Sequence, residues 1–360
     1  MMDPIIQAVY GLPIIGLVFQ LVGYLITVLP DIAPIILRGA VPIALAALCG
    51  VMCERSGVVN IGIEGTMLVA AFVAWAAGVY LVPLLGDSVP LAIFGITPAL
   101  VGALLIAVLA GLIVALLHAW LSISVRADQI IAGTIINIAA FGITGYLYSL
   151  ISSSSPEGAG AFVTFRPPEF LLALPFVGWL FDMFLAQGPI GMGVIVIVVV
   201  FQVFLFRSRW GLRMRSVGEH PRAAETVGID VIRVRYRNVL LGGVLAALGG
   251  AYLSLEITGS FTQGMTAGRG FIGLAAMIIG RWTPLGAFGA ALMFSSFGAI
   301  GQSINIAPPP GDLGVLLDQL PGQFFDALPY LATIVVLAGV VGRSVPPAAD
   351  GLPYEREAAS

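Results

Sequence analysis

Long uncharged apolar runs alternate with short polar segments along the whole chain. Several runs reach about 18 residues or more, roughly the length that a helix needs to cross the hydrocarbon core of a bilayer. The runs are continuous instead of alternating between apolar and polar positions, so they predict helices and argue against a membrane β-barrel. The pattern predicts an all-α, polytopic transmembrane helical bundle of about ten spans, within a range of eight to eleven. The predicted spans are 12–30, 39–53, 64–85, 91–118, 129–150, 189–206, 238–257, 268–280, 283–303 and 323–342.

Composition agrees with a protein dissolved in lipid. The chain is 59% hydrophobic and 10% charged, whereas a soluble domain carries about 25% charged residues. Its start, MMDPIIQAVYG, has neither a basic region nor a small-residue cleavage site. We therefore expect no cleaved signal, and a first span that stays in the membrane.

The distribution of arginine predicts the orientation. All 16 basic residues are Arg, and eight of them lie between Arg207 and Arg237. Basic loops next to spans stay in the cytoplasm, so this loop is expected inside. A ten-span arrangement with both termini cytoplasmic then leaves three arginines outside, namely Arg38, Arg166 and Arg269.

The absence of lysine excludes a standard ATP site, because a P-loop needs a lysine to reach the phosphates of the nucleotide. Cys49 and Cys53 are spaced i,i+4 in an apolar run, and we interpret them as small buried hydrophobic residues and not as a disulfide. His118 and His220 lack metal-ligand spacing, and His118 is expected at a membrane interface. No catalytic arrangement is visible, so neither a catalytic residue, a metal nor a cofactor is expected.

Polar residues and glycines interrupt the apolar pattern in CERSGVVNIGIEG, residues 53–65. Asn60 and Glu64 share one face if the segment is helical. Ionisable groups within a span are costly and usually face the bundle interior or a water-filled cavity. The segment is therefore either an element lining a pathway or a cytoplasmic turn, with Glu64 in the first turn of the next helix.

The basic loop contains a second informative stretch, GEHPRAAETVGID. Pro221 suits a first helical position and Gly228 a C-cap, which predicts a short helix from Pro221 to Val227. Such a helix between basic arms would suit docking to a cytoplasmic partner. The alternative is a solvated loop that only sets the topology.

Two further stretches concern packing and polarity. GGVLAALGGAYL has small residues four apart, from Gly242 to Ala246 to Gly250, which indicates close helix packing. Residues 254–284 contain hydroxyl and amide side chains between apolar runs, which suits an extracellular re-entrant connection followed by a short helix. These side chains either line an outer vestibule or belong to an ordinary wet loop. Glu256 and Arg269 are expected at the interface.

Two stretches together resemble a known family. PIALAALCGVMCERSGVVNIGIEGTMLVAAFVAW and GEHPRAAETVGIDVIRVRYRNVLLGGVLAALGGAYLSL are similar to the two signature regions of the branched-chain amino acid/simple sugar/nucleoside permeases of bacterial ABC importers. ERSGVVNIGIEG is most similar to the nucleoside-type branch. The resemblance covers about residues 35 to 345.

The resemblance implies a non-catalytic permease domain over 1–345 in the bacterial cytoplasmic (inner) membrane. For residues 346–360 we expect a disordered cytoplasmic tail. It implies cytoplasmic ABC ATPase subunits, a second related permease in a heterodimer, and an extracellular or periplasmic solute-binding protein as partners, and no nucleic acid. The ATPase-coupling residues would be Gly218, Glu219, Pro221, Arg222, Ala223, Ala224, Glu225 and Gly228. The residues expected to line the pathway are Asn60, Gly62, Glu64 and Gly65.

Nucleosides are the expected solute, and a simple sugar such as ribose is the alternative within the same class. An ion-coupled transporter that uses Glu64 or Glu256 as a proton carrier is a competing hypothesis. A membrane protein that serves assembly without transport is a third.

Overall fold

A computed structural model describes residues 13–85, 94–152, 160–175, 177–335 and 344–355. Within these ranges the regular elements are helices, as the apolar pattern predicts. They are α1 (Pro13–Glu54), α2 (Ile63–Leu85), α3 (Pro98–Ala119), α4 (Gln129–Ser152), α5 (Glu169–Leu172), α6 (Gly178–Leu185), α7 (Pro189–Arg207), α8 (Arg209–Glu219), α9 (Pro221–Thr226), α10 (Val231–Tyr252), α11 (Arg269–Ile279), α12 (Pro284–Ile306), α13 (Asp312–Leu317), α14 (Gly322–Asp326) and α15 (Leu328–Val335). Single π-helical turns extend α3 over Trp120–Ser124 and α10 over Leu253–Thr258.

Seven of the described helices are long and apolar enough to cross a membrane: α1, α2, α3, α4, α7, α10 and α12. The eighth apolar helix, α11, has only 11 residues. The prediction of an all-α, multi-pass membrane protein is confirmed. Residue 12, residues 91–93 and residues 336–342, which belong to three predicted spans, lie outside the described residues.

The predicted spans 12–30 and 39–53 are joined in the structure. Both belong to α1, which is continuous for 42 residues although Pro30 and Pro34 lie inside it. The separation placed between them was wrong. In apolar surroundings a continuous helix satisfies nearly all of its backbone groups internally, so prolines there need not end it.

By its internal contacts the chain forms two compact units. The first comprises residues 1–39, 166–186 and 292–340, and the second comprises 40–165, 187–291 and 341–360. In the first unit, Tyr24 shares a hydrogen bond of 2.8 Å with Ser303 and donates to the carbonyl of Ala307 at 2.9 Å. Tyr24 also packs with Ile304 and Phe325 in a small apolar cluster.

The second unit is built on α2, α3 and α10, which pack against one another. Small residues make this possible. A Cβ at Gly250 would collide with the carbonyl of Met67, and one at Gly243 would collide with Ala115. A Cβ at Gly242 would lie 2.9 Å from the sulfur of Cys53. The close packing predicted from the spacing of small residues is confirmed.

Candidate functional site

The segment 55–62 is a compact turn between α1 and α2. Gly57 has a φ of 84°, a left-handed conformation that favours glycine. Val59 uses both of its backbone groups in long-range bonds: its N–H donates to Oε1 of Gln129 at 2.7 Å, and its carbonyl accepts from Nε2 of His118 at 3.0 Å. His118 is 1% exposed, so its expected place at an interface was wrong. Its imidazole ties α3 to the turn.

Two of the four residues expected to line a pathway are packed within the turn. Asn60 is 2% exposed, and its Nδ2 lies 3.9 and 3.7 Å from the sulfurs of Cys49 and Cys53. Both thiols are buried, as predicted. Gly62 faces Gly133 of α4, where a Cβ on Gly133 would lie 2.7 Å from the backbone nitrogen of Gly62. These two residues therefore serve close contact between elements in the structure.

Glu64 binds the beginning of the short helix α11. Its Oε1 accepts from the N–H of Gly268 at 2.8 Å, and its Oε2 accepts from the N–H of Gly270 at 2.6 Å. The first N–H groups of a helix have no intrahelical partner and carry a partial positive charge, so a carboxylate stabilises them. Glu64 thereby satisfies two backbone donors inside an apolar protein.

Arg55 binds the other end of the same helix. Its Nε donates to the carbonyl of Trp282 at 2.9 Å, and its Nη2 donates to the carbonyl of Arg281 at 3.2 Å. Trp282 in turn donates from Nε1 to Oε2 of Glu54 at 2.6 Å. The polar residues of ERSGVVNIGIEG thus hold α11 with an acid at its start and a base after its end, the arrangement that the helix dipole favours.

A cavity of about 400 Å³ opens beside this contact. Glu64, Gly65, Asn137, Thr266 and two aromatic residues contribute to its lining. The amide of Asn137 accepts from the N–H of Gly65 at 2.7 Å and donates to the carbonyl of Ile61 at 3.0 Å. The two aromatic rings, Phe141 and Phe271, are 51% and 47% exposed. The cavity therefore combines aromatic faces with a few polar groups next to a helix that begins within the protein.

Glu256 and Thr266, near the two ends of the stretch 254–268, have different surroundings. Glu256 is 7% exposed, and its carboxylate accepts from the N–H groups of Ile190 and Gly191 at 2.8 and 3.0 Å. It binds the start of α7, so its expected interfacial position was wrong. Of the polar residues singled out there, Thr266 reaches the cavity. The short helix expected to follow is confirmed as α11.

The second predicted site also has the expected local structure. The helix predicted from Pro221 to Val227 is α9, and Gly228 follows it with a φ of 84°. Ala224 is buried, whereas Arg222 and Ala223 are exposed. Gly218, at the end of α8, packs against the turn 55–62, since a Cβ there would collide with the carbonyl of Arg55.

Residues 344–355 also contribute to this second site, although the sequence analysis expected a disordered tail over 346–360. Residues 344–355, the tail segment, pack against α8 and α9: Ala349 donates its N–H to the carbonyl of Gly218 at 2.8 Å. Tyr354 lies in an apolar cluster with Val217, Ala224 and Val231, and its hydroxyl donates to Glu225.

A charged cluster lies under the tail segment. Arg235 is 1% exposed, donates to the carbonyl of Leu352 at 3.0 Å and lies over the ring of Tyr354, 5.9 Å from its centroid. Burial raises the pKa of Asp350 to about 6, against the opposing effects of a hydrogen bond with Glu54 and the charge of Arg235. Sequence reasoning missed Asn137, Arg235 and Asp350. A polar residue inside the run TIINIAAF was the one signal that could have singled out Asn137.

Known proteins are similar to this chain over most of its length. The guanosine ABC transporter permease protein NupQ of Bacillus subtilis is 37% identical over 334 residues, which are 92% of this chain and 98% of that protein. The nucleoside ABC transporter permease protein NupC of Lactococcus lactis is 35% identical over 318 residues, or 87% of this chain and 93% of that protein. The guanosine ABC transporter permease protein NupP of Bacillus subtilis is 26% identical over 286 residues, which are 76% of this chain and 75% of that protein.

The family model for the permease component of branched-chain amino acid transport systems matches residues 32–337. That range contains both signature stretches, the cavity and α9. The resemblance read from the two stretches is confirmed. The chain is a multi-pass membrane protein that belongs to the family of branched-chain amino acid transport system permease components.

Proposed function

We propose that this chain is the permease subunit of an ATP-binding-cassette importer and forms half of a translocation pathway for nucleosides. The observation that carries the proposal is the similarity, over most of the chain, to two proteins named as guanosine and nucleoside permeases. The sequence contains no lysine and hence no standard P-loop. ATP hydrolysis accordingly belongs to a separate ATPase subunit, and this chain is not catalytic.

The proposed partners are cytoplasmic ABC ATPases, a second related permease and an extracellular or periplasmic solute-binding protein. Two different guanosine permeases of one organism, NupQ and NupP, are both similar to this chain. This supports a pair of unlike permeases, that is, a heterodimer. The membrane is the bacterial cytoplasmic membrane.

The coupling site in this proposal is the coupling loop, which runs from Gly218 at the end of α8 through α9 to Gly228. Exposed Arg222 and Ala223 would contact the ATPase, while buried Ala224 holds the helix to the permease. Movement of α9 would reach Arg55 through the backbone contact of Gly218. From Arg55 it would pass along α11 to Glu64 and the cavity.

The cavity is the proposed part of the pathway. Its exposed rings, Phe141 and Phe271, suit the flat face of a nucleobase, since aromatic rings stack on one another. Glu64 and Gly65 would line the path directly. Asn60 and Gly62 would support it by holding the turn that carries Glu64.

The proposed topology places the coupling loop and the tail segment in the cytoplasm, with one permease domain over residues 1–345. The arginine distribution supports it. So do two contacts of the tail segment, from Ala349 to Gly218 and from Glu355 to Arg126, because the sequence predicts both partners on the inner side.

Reconstituted transport tests the function. Liposomes would contain the permease pair, the ATPase and the binding protein, and labelled guanosine uptake would be measured with and without ATP. We expect uptake that needs ATP and binding protein and that excess ribose does not reduce. The control is an ATPase subunit whose P-loop lysine is replaced.

Uptake that persists without ATP, or that follows a proton gradient, would contradict the proposal. Uptake of ribose in place of guanosine would favour the sugar-transporting alternative.

A further inference from the structure

The tail segment is fastened to the coupling loop at several points. Ala349 donates to the carbonyl of Gly218 at 2.8 Å, and the N–H of Ala348 lies 3.3 Å from Oε2 of Glu219. Farther along, Tyr354 bonds to Glu225. Finally Glu355 forms an ion pair of 2.7 Å with Arg126. Backbone bonds, an apolar contact and an ion pair therefore fix this segment alongside α9.

A groove of about 700 Å³ lies between α9 and the tail segment. Pro221 and Ala223 contribute to one wall, and Leu352 and Pro353 contribute to the other. Charged side chains also line it, namely Glu219, Arg222, Arg235 and Glu355. The groove thus offers apolar walls and charges of both signs, the composition of a surface that binds a protein segment.

Leu352 is the informative residue of this groove. It is 57% exposed although the backbone around it is fixed, with its own carbonyl bound by the buried Arg235. Because this backbone is already fixed, a partner can bury the Leu352 side chain without ordering the chain around it, which suits an interface. Val345, in the same tail segment, is 77% exposed and does not line the groove.

We propose that residues 348–355 form the second wall of the docking site for the cytoplasmic ATPase subunit. A segment of that subunit occupies the groove and touches α9 and Leu352 at the same time. This inference rests on the proposed function, because the occupant is the partner of the coupling loop. The choice of occupant follows from position: the groove is continuous with α9, the element proposed to meet the ATPase.

The test compares two matched substitutions in the complete permease pair, held in lipid nanodiscs. Binding of fluorescently labelled ATPase subunit would be titrated against wild type, Leu352→Asn and Val345→Asn. We expect Leu352→Asn to weaken binding about tenfold, which corresponds to about 1.4 kcal/mol, because the polar amide would replace an apolar contact inside the interface. Val345→Asn should stay within about twofold of wild type. Melting temperatures of both variants verify folding, and Leu352→Ala provides a milder substitution at the same position.

Equal binding by both Asn variants, with the wild-type affinity, would overturn the composite site. The substitution Ala223→Asp on α9 separates this failure from failure of the proposed function. If Ala223→Asp abolishes binding and Leu352→Asn does not, the coupling loop binds the ATPase without the tail segment. If Ala223→Asp also leaves binding unchanged, the proposed function itself fails.

Discussion

Two acidic residues of the second unit have the same structural role. Glu64 binds the first N–H groups of α11, and Glu256 binds those of α7. In each case both carboxylate oxygens accept a backbone donor that would otherwise be unpaired. A proton carrier must exchange its partners during transport, whereas these two carboxylates are committed to helix starts. This favours a structural explanation for acids that sequence analysis could also interpret as ion-coupling residues.

The contact of Glu64 can be tested by Glu64→Gln. The amide keeps the size of the side chain but loses the charge and one acceptor, so one N–H of α11 is left without its partner. Hydrogen bonds to charged groups contribute about 1.5–3 kcal/mol, and we expect a loss of stability of that order. Thermal unfolding in detergent measures it.

The control for this variant is Glu169→Gln, the same change at an exposed position in the first turn of α5. We expect Glu169→Gln to change the free energy of unfolding by less than about 0.5 kcal/mol. Equal melting temperatures for the two variants would argue against the helix-start role of Glu64.

Among the elements, α10 depends most on the absence of side chains. Gly250 touches the backbone of Met67 and Ala71 in α2. Gly250→Ala should therefore separate two helices of the second unit and destabilise it by about 2 kcal/mol, within the range for overpacked cores. Chemical denaturation of the purified protein measures the change.

Gly193 in α7 provides the matched control, because nothing lies within 4 Å of a Cβ built there. Gly193→Ala should be neutral or stabilise the helix by about 0.5–1 kcal/mol. Destabilisation by both substitutions to the same extent would contradict close packing as the cause.

Local chemistry predicted several elements well. The helix of Pro221, its end at Gly228 and the apolar runs of α2, α4 and α7 all follow from residues close in sequence. Predictions failed where a distant partner decides the structure. Glu256 is buried because backbone donors some 65 residues away bind it, and His118 is buried because its partner is Val59. No spacing within the sequence reveals such pairs.

For the candidate site, too, sequence reasoning identified the residues that stand out locally and missed those that depend on distant contacts. Glu64 and Gly65 were identified as interruptions of an apolar pattern, and both reach the cavity. Asn137 and the tail segment were not identified, since their roles depend on contacts with turns far away in the chain.

At the scale of the molecule, the tail segment connects the coupling loop to the turn after α1. Asp350 lies in this connection near Glu54 and Arg235, and burial raises its pKa to about 6 from 3.8. A raised pKa means that the docked tail favours the protonated acid. This contribution to docking is complete below about pH 4 and is lost as the pH rises through about 6.

We therefore expect the backbone amide of Ala349, which is bonded to Gly218, to be better protected from hydrogen exchange at pH 5 than at pH 7.5. Exchange must be corrected for its intrinsic pH dependence. In Asp350→Asn the side chain cannot ionise, so protection at pH 7.5 should exceed that of wild type. Weaker protection in this variant at pH 7.5 would contradict the sign of the effect.

The buried thiols have a practical consequence for experiments that follow movement of the tail segment. The sequence has two cysteines, Cys49 and Cys53, and both are 0% exposed beneath the turn. A water-soluble maleimide cannot reach them in the folded protein, so the wild-type protein should remain unlabelled. A cysteine placed at Leu352 or Val345 would accept a spectroscopic probe selectively. Distance measurements along the transport cycle could then begin without first removing the native thiols.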